Sequence, residues 1–325
     1  MKTRRFLATL IALCGALAVH GAASAQEIYP NKPVKVIVAI PPGGSVDMVA
    51  RLITQRLSDD LGQTFFVENK GGASGMIGTG QLVRSPADGY TLSVIPASFI
   101  ATNKALFKNL PYDPQKDLAP VTKLVDQSMV LVVRQGHGVG TVQDLIKLAK
   151  DSPGKLTFAS AGDGTPHHLA AVLFQDRAKV SLTHVPYKGG ALAMNDLLAG
   201  HVDMVFAGLP EALPHIRTNK LKALGLLSQK RSPVANDIPT MAEAGLTGMD
   251  LSAWMALVAP ANTPQPILDK LNAAVTKILN GEARTKLHEA GLEASPSTQD
   301  QLRQLMNSDT RLHGELLKAA GVQPQ

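Results

Sequence analysis

A chain of 325 residues with a formal charge of only +6 and no basic run has room for two ordinary domains and is too evenly charged for a nucleic-acid binder. Its single cysteine, Cys14, lies in the first 25 residues, so disulfides, thiolate metal sites and cysteine nucleophiles are excluded beyond them. Few aromatics (4%) with 28 glycines and 21 prolines describe a loop-rich α/β protein.

Lys2, Arg4 and Arg5 precede an apolar stretch at 6–19, and Ala23-Ser24-Ala25 supplies a small-x-small cleavage site. These are the three parts of a secretory signal, read as a signal peptide at 1–25, cleaved after Ala25. The stretch falls short of the ~20 apolar residues of a membrane span. Leu13 before Cys14 lacks the small residue that lipoprotein processing wants. Cleavage lowers thirty-two basic residues to twenty-nine against twenty-six acidic ones, a charge of +3.

Residues 34–40 read as a buried strand. Val46, Val49, Ala50, Ile53 and Leu57 then recur at helical spacing, stopped at Gly62. A strand at 64–67, a helix at 76–83 and a strand at 91–95 complete a β-α-β-α-β run, the unit of a parallel sheet covered on both faces. A second run opens with a strand at 129–133 and a helix at 142–150 capped by Thr141. It continues as a strand at 156–159, a helix at 168–178, a strand at 182–185, a helix at 192–199 ended by Gly200, and strands at 202–206 and 221–227. After Ser232-Pro233 come a strand at 254–258 and helices at 267–279, 283–290 and 299–319, read as a tail returning to the first lobe. The expected fold class is α/β with two lobes, 26–125 plus 232–325 and 126–231, linked near 123–128 and 228–235.

Two glycine-rich turns each lead from a strand into a helix: Pro41-Pro42-Gly43-Gly44-Ser45-Val46-Asp47 and Ser160-Ala161-Gly162-Asp163-Gly164-Thr165-Pro166. Free N–H groups and the positive end of a helix dipole suit both to a carboxylate or phosphate. Neither turn contains Lys or Arg. No nucleophile elbow, metal spacing or Walker motif accompanies them, so the pair points to an anion held between lobes and not to chemistry. The loop Gly71-Gly72-Ala73-Ser74-Gly75 also opens a helix and should reach the same cleft. Gly162-x-Gly164 lacks the last glycine of a dinucleotide fingerprint. His167 and His168 diverge by ~100° at a helix start and cannot chelate one metal together. No cofactor and no metal are expected.

Six segments then carry a resemblance: YPNKPVKVIVAIPPGGSVDMVAR at 29–51, VENKGGASGMIG at 67–78, NLPYDPQKDLAPVT at 109–122, FASAGDGTPHHLAAVLF at 158–174, HVPYKGGALAMNDLLAGHVDMVF at 184–206 and LPHIRTNKLKALGLLSQKRSP at 213–233. The chain resembles the Bug family of periplasmic solute receptors, the TctC-like binding subunits of tripartite tricarboxylate transporters. The resemblance implies a type II periplasmic-binding-protein fold with two hinge crossovers. It also implies a small carboxylate held in the cleft by loop amides, hydroxyls and waters. The receptor would be a periplasmic monomer that serves inner-membrane transporter subunits.

The candidate ligand-binding residues are Pro42, Gly43, Gly44, Ser45 and Asp47 in the first turn, with Asp47 read as a first-turn helix charge or loop brace ahead of a ligand group. Ala73, Ser74 and Gly75 follow in the next loop, and Ser98 and Phe99 lie after the strand at 91–95. Ser160, Ala161, Gly162, Gly164, Thr165 and His168 form the second turn, His168 also as a brace. Tyr187, Ala207 and Gly208 complete the set. Relatives often carry acidic and amide residues at the Ala207-Gly208 position, and a run of Ser, Gly and Thr where Phe99 stands. The expected ligand is an aliphatic di- or tricarboxylate or an aromatic carboxylate, and these departures turn the expectation away from an amino acid, toward an apolar or aromatic carboxylate. Trp254 is expected in the core, and Lys188 is either a cleft residue or an exposed charge. Two alternatives stay open: a receptor reporting its solute to a signalling kinase, and an exported α/β hydrolase using Ser74 or Ser160 with a histidine.

Overall fold

The first sheet grows from a hydrophobic run with no polar interruption except Lys35, β1 (Val34–Val38). β2 (Phe65–Asn69) and β3 (Thr91–Pro96) flank it in parallel register, joined through α1 (Ser45–Leu61) and α2 (Met76–Val83). The expected stripe of α1 is buried from Val46 to Leu57, and the helix ends at Gly62, whose N–H reaches Ser58 O. The computed structural model describes residues 29–251, 253–319 and 321–324. The signal peptide expected at 1–25 lies outside the described residues. Residues 1–31 and 32–325 separate as two units, and the fold lies in the second.

Two short helices that the sequence did not announce follow β3, α3 (Ala97–Ala101) and α4 (Asn103–Leu106). Next comes β4 (Leu118–Gln127), a ten-residue strand reaching into the stretch 123–128 that was read as a linker. Its burial runs without the alternation that marks a half-exposed strand, because both of its faces are covered. Pro120 adds to the disguise, and the register against the neighbouring strand shifts beside it, between Leu257 and Val258.

Only Ser128 separates β4 from β5 (Met129–Arg134), which opens the second sheet. Met129, Leu131 and Val133 enter one core and Val130 and Val132 another, the period-two division of a strand covered on both faces. The chain continues through α5 (Val142–Asp151), β6 (Thr157–Ser160), α6 (Pro166–Ala178), β7 (Thr183–Pro186), α7 (Gly190–Ala199), β8 (Met204–Gly208), α8 (Leu209–Arg217) and β9 (Leu221–Leu226). Thr141 caps α5 by accepting from Asp144 N–H at 3.1 Å, as its sequence foretold. The unforeseen helix of this second run is α8, hidden by Pro210 and Pro214. The second sheet has the order β7-β6-β8-β5-β9, with β5 antiparallel to both neighbours.

β10 (Ala253–Pro260) then returns antiparallel between β3 and β4, and β11 (Glu293–Ala294) pairs with the far edge of β4. The tail therefore completes the first sheet, whose order is β11-β4-β10-β3-β1-β2. α9 (Gln265–Asn280), α10 (Ala283–Glu289) and α11 (Gln299–Ala319) close the chain. α11 serves two cores. Leu302 and Met306 pack with the first sheet, and Leu316 and Leu317 join the core of the second.

Candidate functional site

The carboxyl end of β1 runs through Pro42, Gly43 and Gly44, all exposed, into α1. Gly44 caps α1 without a side-chain hydrogen bond, and the first-turn N–H groups of Ser45 and Val46 have no intrahelical acceptor. Asp47 is buried beside them and accepts from Gly43 N–H (3.0 Å), Asn69 Nδ2 (2.8 Å) and Arg51 Nε (3.0 Å). Burial pushes its carboxyl up, but the hydrogen bonds from Arg51, Asn69 and Gly43 outweigh it and hold the group below its usual range. Of the two roles open to Asp47, the geometry favours the brace.

The next loop, Ala73–Gly75, is a single 3-10 turn with Ala73 and Ser74 in left-handed backbone. Asn103 Nδ2 holds it by donating to Ser74 O at 2.9 Å. Phe99 props it from below: a Cβ on Gly75 would stand 2.2 Å from the Phe99 ring. Phe99 is 9% exposed. Phe99, a candidate ligand-binding residue by sequence, is therefore corrected to a support of the loop, because the third residue of α3 points under it.

In the other lobe, the turn from β6 to α6 is tied by its own side chains. Ser160 Oγ accepts from Gly162 N–H at 3.0 Å, and Thr165 Oγ1 donates to Gly162 O at 2.7 Å. Gly164 N–H donates to His168 Nδ1 at 3.1 Å, the brace anticipated for His168. Behind the turn the rings of Phe158, His184 and His168 form a stack, with the two imidazoles 4.3 Å apart and 10° from parallel. Ser160 Oγ lies 2.6 Å from His184 Nε2, and His184 Nδ1 lies 3.5 Å from Asp163 Oδ1. The trio has the outline of a hydrolytic triad. Ser160, however, is fully buried with its oxygen engaged by Gly162, and Asp163 is beyond hydrogen-bond reach of the ring. Nor does the Asp163, His168 and His184 cluster, whose ligand atoms lie within 4.8 Å of one another, suit a metal. Parallel stacked rings aim their lone pairs side by side, and that of His168 Nδ1 already holds Gly164 N–H.

Desolvation pushes the His184 ring down to about 4, helped by the neighbouring His168 and opposed by Asp163. Desolvation lowers His168 too, against the pull of Asp163. In the fold His184 stays neutral down to about pH 4 and His168 takes up its proton below the usual imidazole range, whereas in the unfolded chain both protonate near pH 6.5. The unfolded state then binds more protons, so this part of the stability is complete above about pH 6.5 and is lost as pH falls toward 4. Melting temperature measured across that window is expected to fall steeply in the wild type and less steeply in His184→Gln. Parallel slopes would remove the stack from the pH response.

The first turns of α1, α3 and α6 meet at a cavity of about 150 Å3. Ser45, Val46, Pro96, Ala97, Ser98 and Pro166 line it from those turns, Ala253, Trp254 and Met255 from β10, and Gln127, Leu251 and His313 complete the wall. Among the described residues no Lys, Arg, Asp or Glu lines it. A larger hollow of about 610 Å3 mixes Lys123, Lys230 and Arg231 with Asp126, Asp250, Glu293 and Asp309. None of the helix first turns that meet at the small cavity lines that hollow, so the small cavity is the candidate site.

Of the residues expected from sequence, Ser45 and Ser98 line the cavity, while Pro42, Gly43 and Gly44 precede Ser45 on the outside. Ala161, Gly162, Gly164 and Thr165 form the turn that ends at Pro166. Tyr187 is drawn aside: its hydroxyl donates to Asp196 at 2.5 Å, a bond that with partial burial pushes it up to about 12. Lys188 is exposed. Ala207 is fully buried in the core under α7 and α8 and presents no wall to a ligand, a second correction, since its strand faces helices there. Gly208 lies against the Gln127 amide, where a Cβ would stand 2.2 Å from Nε2. Trp254 is core, as expected, with Nε1–H donated to Asp309 Oδ2 at 2.6 Å, yet it also lines the cavity. The sequence reading missed Gln127 and His313. For His313 a signal existed, a histidine on the apolar stripe of a long amphipathic helix.

Residues 49–322 match the family described as "Tripartite tricarboxylate transporter family receptor" (TctC). Protein BugT of Bordetella pertussis is 35% identical over 324 residues, 99% of each chain. A UPF0065 protein in the tcbD-tcbE intergenic region of Pseudomonas sp. (strain P51) is 34% identical over 90% of this chain and 87% of its own. Among solved structures, R. palustris Rpa4515 with adipate gives a TM-score of 0.81 at 32% identity, over 91% of this chain and 100% of that one. MatC from Rhodopseudomonas palustris with bound malate gives 0.76 at 33% identity, over 89% and 100%.

Proposed function

This chain belongs to the tripartite tricarboxylate transporter receptor family, and from that premise we propose that it is a periplasmic receptor closing on one small carboxylate. One observation carries the reading: residues of three helix first turns, two serines among them, line a cavity without a charged side chain. Oriented amides and hydroxyls solvate an anion in such a place, and the helix ends supply the positive field. Ser45, Ser98, the first-turn N–H groups of α1 and the 160–165 turn are the groups assigned to it. A cavity of about 150 Å3 is the size that holds a benzene-like body, so the ligand is a small acid. Two structural relatives hold acids of modest size, adipate and malate.

The lobes, 26–125 with 232–325 and 126–231, would turn about the crossover at Ser128 and the one between β9 and β10. A ligand touching both lobes only in the closed arrangement shifts the population toward it. The closed monomer would then be the form recognised by inner-membrane transporter subunits. A thermal-shift screen of the mature protein tests the reading with aliphatic di- and tricarboxylates, acidic amino acids and aromatic acids. A bound acid at a hundredfold excess over Kd adds ~2.7 kcal/mol of stability, so one class should raise the melting temperature clearly. A flat response to every acid would sink the proposal.

A further inference from the structure

The C-terminal helix α11 brings a polar side chain to the wall of the cavity. His313 is 5% exposed and shares its helix face with Leu302, Met306, Leu316 and Leu317. Its Nδ1 lies 2.8 Å from Thr102 Oγ1, and its Nε2 is buried without a partner. Among the described residues His313 is the one cavity-lining side chain that carries such an orphaned atom. A buried polar atom left unmet is costly, so an orphan in a cavity wall calls for a missing partner.

The hydrogen-bond count decides what that partner must be. Thr102 Oγ1 makes no other hydrogen bond among the described residues, so its hydrogen is used only when it donates to His313 Nδ1. The ring proton then sits on Nε2, which needs an acceptor. Desolvation holds the His313 ring at about 4, so it is neutral at ordinary pH.

We propose that His313 Nε2–H donates a hydrogen bond to an oxygen of the bound acid, making α11 part of the recognition surface. This rests on the receptor reading and narrows its substrate class. With no carboxylate among the described lining residues to meet an ammonium group, amino acids are disfavoured. The ligand is a non-amino acid that offers an oxygen to Nε2–H, set among Val46, Leu251, Trp254 and Met255.

Nitrogen-15 spectra of the histidine rings in the mature protein test the donor directly. His313 is expected as the neutral Nε2–H form from pH 6 to 8, and a cationic or Nδ1–H ring overturns the proposal. Calorimetric titration with adipate, malate and benzoate tests the contact. For whichever probe binds the wild type, His313→Phe is expected to weaken it about tenfold, about 1.4 kcal/mol. His313→Gln, which keeps an N–H at similar reach, is expected to recover most of that affinity. Equal loss in both variants, or loss in neither, overturns the proposal while leaving the receptor reading intact. A wild type that binds no acid at all defeats the receptor reading instead, and the ring spectrum still judges the donor.

Discussion

Gly164→Val is expected to weaken carboxylate binding roughly a hundredfold while the protein still folds. Gly164 has φ +69, a conformation β-branched residues avoid, and its N–H is the one held by His168. A Cβ there would stand 2.4 Å from Leu106 Cδ1 and 3.0 Å from its Cγ. Leu106 ends α4, a helix that follows the first sheet's β3, yet it sits in the core of the second. The valine would thus act as a wedge between lobes. Its damage falls on closure of the lobes. Backbone strain of ~1–3 kcal/mol and overpacking of ~1–3 kcal/mol together span ~2–6 kcal/mol, a range that covers the ~2.8 kcal/mol a hundredfold loss requires. Titration calorimetry reads the loss, and circular dichroism checks the fold. Adding Leu106→Ala should restore part of the affinity by removing the wedge but not the strain. Wild-type affinity in Gly164→Val would remove the 160–165 turn from the site.

The second large effect is on stability. Gly78 lies inside α2, where propensity alone says that alanine should gain ~1 kcal/mol. Packing says the reverse. A Cβ would come within 2.7 Å of Ala39 Cβ, 2.9 Å of Ala39 Cα and 2.8 Å of Lys70 O. These atoms cannot swing away, because Ala39 directly follows β1 and Lys70 N–H is bonded to Val38 O at 2.8 Å. Gly78→Ala is expected to destabilise by ~1–3 kcal/mol, the usual range for overpacking. A urea midpoint that falls supports the close seating of α2 on the end of β1. A midpoint that rises would mean that helix propensity wins.

Residues whose neighbours in sequence are also their neighbours in space were the legible ones. The α1 stripe, the Thr141 cap and the strand at β5 each follow from local spacing, and they stand where they were expected. β4 was illegible because its burial comes from partners more than a hundred residues away, and so no alternation marks it. α8 was hidden by two prolines, Pro210 in its first turn, where a helix tolerates one, and Pro214 inside it. In the site, the glycine turns could be read, since their backbone demands are written in the residues themselves. The directions of Phe99 and Ala207 could not, because only the packing of α3 under the loop and of β8 under its helices decides them.

α11 behaves as a beam resting on two supports, one in each core, with His313 along its span. A beam fixed at both ends resists free swinging of either support, so rotation of one lobe must slide helix side chains over the other, a shear of small steps. Load applied along the span is felt at both supports at once. An acid pulling on His313 would therefore tension the same member that sets the angle between the lobes.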